Sequence, residues 1–316
     1  MIIPPHDPEY PRRVLELPEP PPITVSGPIH NDVPTVAIVG SRQAQMDALN
    51  WTHQLAYHLA RAGVVVVSGG AMGIDEAAHR GALKGGATWC VACCGRSAKP
   101  YPLVNKHLFA KIEKAPGSRM IWPFPLDQRK TAFTPRLRNK VLVALADVVV
   151  VVQARIRSGS LNAASNADLL GRPMYVVTGR PWDYPFLGST KLILEGAQPL
   201  VSIEQLFDDL ELPRPDIDDP EGILSDRAPR QPSIRSFKRR ARSLAPDPNF
   251  RVDPSTLSTA QNVVISSMSR APTHQDKIVA KSGLEVSATL TALLTLSLRD
   301  VVVEGPDGFF RLRTEP

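Results

Sequence analysis

The sequence predicts an α/β protein: an extended Rossmann-like, doubly wound, mostly parallel sheet, plus a small C-terminal winged-helix domain. Two observations carry this. Between Pro34 and Leu210, short runs of β-branched residues alternate with helix-like segments. Strands that are apolar throughout, with helices between them, belong to a parallel sheet covered on both faces. Beyond Leu257, three helix-like segments precede two short strands joined by a Gly/Pro/Asp turn, the order of a winged helix.

The elements follow in order. Residues 1–33 are Pro-rich, with "YPRRVLELPEPPPITVSG", and read as an N-terminal extension leaning on the main domain. Six strands are expected at 35–40, 64–70, 88–95, 118–122, 147–153 and 173–179. Helices are expected at "MDALNWTHQLAYHLARAG", "IDEAAHRGALKGG", "LVNKHLFAKIEKA", "LRNKVLVALA" and "LNAASNADLLG". Residues 34–210 therefore form one domain. Residues 211–255 read as a disordered linker of segregated charge, acidic up to Asp226 and basic from Arg227 to Arg242. It is either a solvated tether or a basic arm for nucleic acid. In the winged helix (256–316), Thr273 is placed to cap the second helix. The third, "SATLTALLTLSLRD", has no Lys or Arg before Arg299, a surface suited to protein contact.

The chain of 316 residues is 43% hydrophobic, enough for two domains and a sizeable core. A net charge of +6 suits a polyanionic partner without requiring one. Cys90, Cys93 and Cys94 lie in an apolar run with no second Cys/His pair, so they read as buried thiols of a reducing compartment rather than zinc ligands. No signal peptide or run of about 18 apolar residues is evident, so the expected location is cytoplasmic, with no membrane partner.

In such sheets, ligands gather at the carboxyl edge, and the small residues of this sequence gather there too. They are Gly40-Ser41-Arg42 after the first expected strand, Ser68, Gly69, Gly70 and Gly73 after the second, and Arg157-Ser158-Gly159-Ser160 after the fifth. Thr178-Gly179-Arg180 follows the sixth, with Gly188-Ser189-Thr190-Lys191 beyond. Glycines let a backbone approach a ligand, and N–H groups at a helix start hold anions. Several such loops on one edge suggest a phosphate-binding crest. Neither the dinucleotide nor the Walker pattern is present. Asp75 and His79, four apart on one helix face, are either an acid/base pair or loop-bracing residues. The second is favoured, because no nucleophile or second carboxylate completes a reaction site. In "DQRKTAFTPRLRNK", Arg129, Lys130, Arg136, Arg138 and Lys140 surround Phe133. Cations that track a backbone beside a ring that stacks a base suit single-stranded nucleic acid. The competing reading buries Phe133 in the core.

The succession "VAIVGSR", "VVSGGAMGIDEAAHRGAL", "YPLVN", "FTPRLRNK", "SGS" and "GSTKLILEGA" resembles the DNA-processing protein A family, also called Smf, over roughly residues 10–205. The resemblance implies a homodimer that binds single-stranded DNA and helps load the RecA recombinase in natural transformation, with no catalytic step, cofactor or metal. It places a phosphate contact on Arg42, the Gly-rich loop on Ser68, Gly69, Gly70 and Gly73, and the basic and aromatic run on Lys130, Phe133, Arg138 and Asn139. The chain departs from the family's usual pattern at Lys140, Ile121-Trp122 and Thr178-Gly179. Two other readings stay open. One is a nucleotide-processing enzyme of the lysine-decarboxylase-like phosphoribohydrolase type. The other is a regulator that binds DNA through its winged helix alone.

Overall fold

The structure, a computed structural model, describes residues 2–156, 158–180, 182–215, 237, 257–268, 273–298, 301–304 and 308–312. Its main feature is a nine-stranded sheet. In chain order the strands are β1 (Ile2–Ile3), β2 (Ile23–Val25), β3 (Thr35–Val39), β4 (Val65–Ser68), β5 (Thr88–Val91), β6 (Arg119–Trp122), β7 (Val148–Val151), β8 (Met174–Val177) and β9 (Gln198–Leu200). Across the sheet they run β1-β2-β6-β5-β4-β3-β7-β8-β9. All neighbours from β6 to β9 are parallel. The two N-terminal strands are antiparallel additions, with Thr24 opposite Trp122. The N-terminal segment therefore extends the sheet rather than only leaning on it.

The valine runs are apolar throughout because both faces are covered. Successive side chains of a strand point to opposite faces. Ala37, Val39, Val149 and Val151 enter one core with Leu142 and Ala163. Val36, Ile38, Val148 and Val150 enter the other with Leu55, Ala78 and Phe207. Each fully buried Val, Ile, Leu or Phe among them contributes roughly 1.5–3 kcal/mol. The first core lies under α4 (Thr134–Ala144) and α5 (Gly159–Leu169). The second lies under α1 (Met46–Arg61), α2 (Ile74–Gly85) and α7 (Ile203–Asp209). Helix α3 (Lys106–Lys114) covers Cys90, Met120 and Trp122, and α6 (Leu187–Leu194) follows β8. Gly81 and Gly85 let α2 lie against the α1 backbone, since a Cβ on either would strike a carbonyl of His53 or Tyr57.

The extension is pinned by charge. Arg13 pairs with Asp147 at 3.0 Å and donates to the Leu145 carbonyl at 2.9 Å, while Asp147 accepts from the Thr35 amide at 2.9 Å.

The C-terminal unit has helices α8 (Thr259–Ser267), α9 (Gln275–Ser282) and α10 (Val286–Leu298). Its small sheet, ordered β10-β12-β11, comprises β10 (Thr273–His274), β11 (Val302–Glu304) and β12 (Phe309–Leu312). A capping box between Ser258 and Gln261 starts α8. The cap of α9 is His274, whose Nδ1 accepts from the Asp276 amide at 3.3 Å. The expected cap, Thr273, is instead a strand residue opposite Phe310. Most of the charged linker, with Arg157 and Arg299, lies outside the described residues. Phe237, inside the stretch expected to be disordered, is buried against the second core. Among the described residues no single helix is long and apolar enough to cross a membrane.

Candidate nucleic-acid interface

The strand order decides which loops meet. At the carboxyl edge, the loops after β6, β5, β4, β3, β7 and β8 stand side by side in that order. The chain winds outward in opposite directions from β3, so the β3 and β7 loops flank the switch point, where such sheets bind ligands. Gln45 and Gln153 tie these loops together. The Gln45 amide donates to Gln153 Oε1 at 3.1 Å, and Gln153 Nε2 donates to Gln45 Oε1 at 3.2 Å.

The turn after β3 is rigid. Gly40 packs so closely that a Cβ would fall 2.6 Å from Ile74 Cγ1. Ser41 Oγ accepts from the Gln43 amide at 3.1 Å, and the Ser41 carbonyl accepts from the Ile74 amide at 3.1 Å. Arg42 is thereby held out into solvent.

The Gly-rich loop after β4 is braced from three sides. Gly70 and Gly73 have φ of 72° and 81°, the left-handed region that favours glycine. Asn105 Nδ2 donates to the carbonyls of Gly70 and Ala71 at 3.2 and 3.3 Å, and Asp75 Oδ2 accepts from the Ala71 amide at 3.3 Å. Ser68 Oγ donates to the Ile38 carbonyl at 2.6 Å, so its hydroxyl serves the sheet rather than a ligand. The sequence marks Asn105 only as part of "YPLVN"; its role follows from the fold.

Arg138 and Asn139 are not surface contacts. Arg138 is 5% exposed and its Nη1 donates to the Val91 carbonyl at 2.8 Å. It lies beside the Asp75 carboxylate. Burial pushes the Asp75 pKa up, and the Arg138 charge draws it back down. Asn139 Nδ2 donates to the Gly159 carbonyl and to Asn162 Oδ1, both at 3.2 Å, joining α4 to the start of α5. These two residues position the loops. Lys140 leaves the expected group altogether: its Nζ lies 5.3 Å from the Phe309 ring of β12. The reason is helical geometry, because consecutive residues on α4 cannot share a face.

Lys130 and Phe133 are presented outward. Lys130 Nζ sits 4.9 Å from the exposed Tyr101 ring. Thr131 Oγ1 accepts from the amides of Phe133 and Thr134, both at 3.2 Å, which fixes the turn into α4. The Phe133 ring is 68% exposed, so the core reading is overturned. At the start of α5, Gly159 is exposed, with nothing within 4 Å of where a Cβ would sit, and Ser160 is buried. The Ser158 hydroxyl is buried with no partner among the described residues.

Asp75 and His79 do not pair with each other: Asp75 is engaged by the Ala71 amide and His79 by Thr88. His79 is fully buried, with Nδ1 2.8 Å from Thr88 Oγ1, and burial lowers its pKa to about 3, leaving the ring neutral. Burial also raises the pKa of all three cysteine thiols. Among the described residues, no group of three or more His, Cys, Asp or Glu could hold a metal ion. What the crest offers is exposed cations, Arg42, Arg129, Lys130, Arg136 and Arg180 among them, with rigid glycine turns and solvent-facing rings. Two of those rings, Trp182 and Tyr184 in the loop after β8, were not singled out by the sequence, because "GRPWDYPF" carries no spacing signal.

Comparison with known proteins bears on this geometry. The family profile described as DNA recombination-mediator protein A matches residues 1–211, and the DprA winged helix domain matches residues 248–308. The chain is 28% identical to Protein Smf of a Synechocystis sp. over 314 residues, 96% of this chain and 77% of that one. It spans about half the length of several other curated relatives. The crystal structure of DNA processing protein A from Streptococcus pneumoniae aligns with a TM-score of 0.61 and 29% identity, over 66% of this chain and 73% of that one. DNA processing protein A from Helicobacter pylori, described for its single-stranded DNA binding mode, aligns with a TM-score of 0.59 and 29% identity, over 64% and 93%. The first profile takes in every loop of the crest, and the second takes in all three C-terminal helices. The chain belongs to the DNA recombination-mediator protein A family.

Proposed function

We propose that this protein binds single-stranded DNA along the crest, protects it, and helps load the RecA recombinase, acting as a cytoplasmic homodimer in a process such as natural transformation. The observation that carries the reading is the joint exposure of Arg42 and Phe133 on one sheet edge, each held there by hydrogen-bonded turns. Backbone amides and Arg42 take phosphates, and Phe133 stacks a base. The likeness to the Helicobacter pylori protein supports the same ligand. The reading needs no catalytic step: Asp75 is engaged by the loop and His79 is neutral. The proposed division is an N-terminal extension (1–33), the DNA-binding domain (34–210), a charged linker (211–255) and a winged helix (256–316). The last has a third helix without cations and is assigned to a protein contact.

The test is fluorescence anisotropy of a labelled single-stranded oligonucleotide and its duplex over a salt series, with wild type and Arg42→Ala. The expected result is preference for the single strand. The salt slope should be steep, and the variant should lower it by about 0.7, one phosphate's worth. Weak binding that Arg42→Ala leaves unchanged overturns the assignment to the crest. Cleavage of nucleoside monophosphates would favour the phosphoribohydrolase reading instead.

A further inference from the structure

We infer that Trp182 and Tyr184 form a second base-stacking platform, which continues the path of a single strand past Arg42 to the far end of the crest. The inference rests on the DNA-binding reading above and adds residues that reading does not use.

Three features of the β8 loop support it. First, the loop is built to hold its rings outward. The Thr178 amide donates to the Leu200 carbonyl at 3.3 Å, the Asp183 amide to the Arg180 carbonyl at 2.9 Å, and the Phe186 amide to the Asp183 carbonyl at 2.8 Å. Phe186 is buried under Gly179, where a side chain would overlap its ring. Of the three aromatics in the loop, one anchors it, while Trp182 is 77% and Tyr184 65% exposed. Two rings of this size on a pinned turn leave large apolar faces open to solvent.

Second, the loop is joined to the crest. The Gly188 amide donates to the Ala154 carbonyl at 2.8 Å, and Ser189 Oγ accepts from the Ala154 amide at 3.0 Å, so the first turn of α6, where the β8 loop ends, is fastened to the β7 loop. Arg155, in that β7 loop, reaches Gln43 at 3.5 Å, next to Arg42. From the strand order, the β6 loop bearing Phe133 is three strand spacings from β3, and the β8 loop is two spacings away on the other side. At about 4.8 Å per strand, these are roughly 14 and 10 Å. Arg42 therefore lies between two sets of exposed rings.

Third, the charges fit a strand whose bases lie on the rings. Asp183, between the two rings in sequence, disfavours a phosphate at that point, while the exposed Arg180 in the same loop and Arg155 in the β7 loop can take the phosphates to either side. Stacking tolerates any base because every base has a π-face.

The test uses the full chain and oligo(dT) of about 4 and about 16 nucleotides. Trp182→Ala/Tyr184→Ala should weaken binding of the longer strand about ten- to a hundredfold and leave the shorter one unchanged. Trp89 and Trp122 are buried and Trp51 is partly so, which leaves Trp182 as the exposed indole. Its fluorescence should be quenched by the long strand. Trp182→Phe should lose the quench but keep the affinity. If the double variant binds the long strand as wild type does while Arg42→Ala does not, the platform is wrong and the crest reading stands. The same result with a loss of self-association assigns the rings to a protein interface. If wild type binds neither strand, both readings fall.

Discussion

The guanidinium of Arg138 occupies the space in which a side chain at Gly69 would begin. One glycine of the loop thus exists to admit a buried cation, which in turn holds the Val91 carbonyl and faces Asp75. Gly69→Ala should push the guanidinium off that carbonyl. A loss of about 1–3 kcal/mol is expected in urea unfolding. An unchanged midpoint would mean that Arg138 relocates without cost.

Phe133 should separate binding from stability. Its ring is exposed, so Phe133→Ala should leave the unfolding free energy within about 0.5 kcal/mol of wild type. Its affinity for single strands should fall by about 1–3 kcal/mol, and Phe133→Trp should restore it. Equal affinity for Phe133→Ala in anisotropy would remove the ring from the interface.

Lys140 and Arg42 should differ in their salt dependence. Lys140 stacks on Phe309, so Lys140→Ala should leave the slope of log affinity against log salt unchanged. Arg42→Ala should reduce it by about 0.7. Equal reductions would return Lys140 to the DNA path.

His79 gives an acid-range signature. Its folded pKa, about 3, lies below its ordinary 6.5. Between those values the unfolded chain takes up a proton that the folded protein refuses. Stability tied to neutral His79 is complete above 6.5 and is lost as pH falls towards 3, by about 1.4 kcal/mol per unit. Asp75, whose folded pKa is raised, acts with the opposite sign, losing stability as pH rises through its folded value. His79→Gln should therefore flatten the acid side of the stability profile relative to wild type. Parallel profiles would contradict a neutral, buried ring.

The Arg13–Asp147 pair anchors the N-terminal segment. Arg13→Ala should cost about 1.5–3 kcal/mol in urea unfolding, because the half-buried Asp147 then loses its counter-ion. Arg13→Ala/Asp147→Asn should recover part of that loss. A double variant no more stable than the single one would assign the cost to the Leu145 and Val33 carbonyls.

The parallel core was legible because Val64–Val67 and Val148–Val152 are long enough to read as strands buried on both faces. Strand β9, "QPL", was missed: three residues with a central proline carry no period. β2 was missed because its inner partner, β6, lies far along the chain, and β1 because it is two residues long and pairs only with β2. The cations of the basic run were legible as a group but not in their directions. Lys130, Arg138 and Lys140 read alike, yet one faces solvent, one the core and one β12. Helix phase depends on where α4 starts, and the Thr131 turn that sets the start has a weak sequence signal.

The N-terminal strands have a consequence for how the chain reaches this state. β2 pairs with β1 on one edge and with β6 on the other, so the β6-facing edge of Thr24 must wait for Trp122 to be synthesised before it has a partner. Until the two dock, β6 presents a bare parallel edge, and Tyr10, Val14 and Ile23, all buried in the finished protein, are exposed. The closure of that edge is a long-range pairing, whose loop entropy must be met before the contact rewards it. The interval before it is when one nascent chain is most able to pair with another.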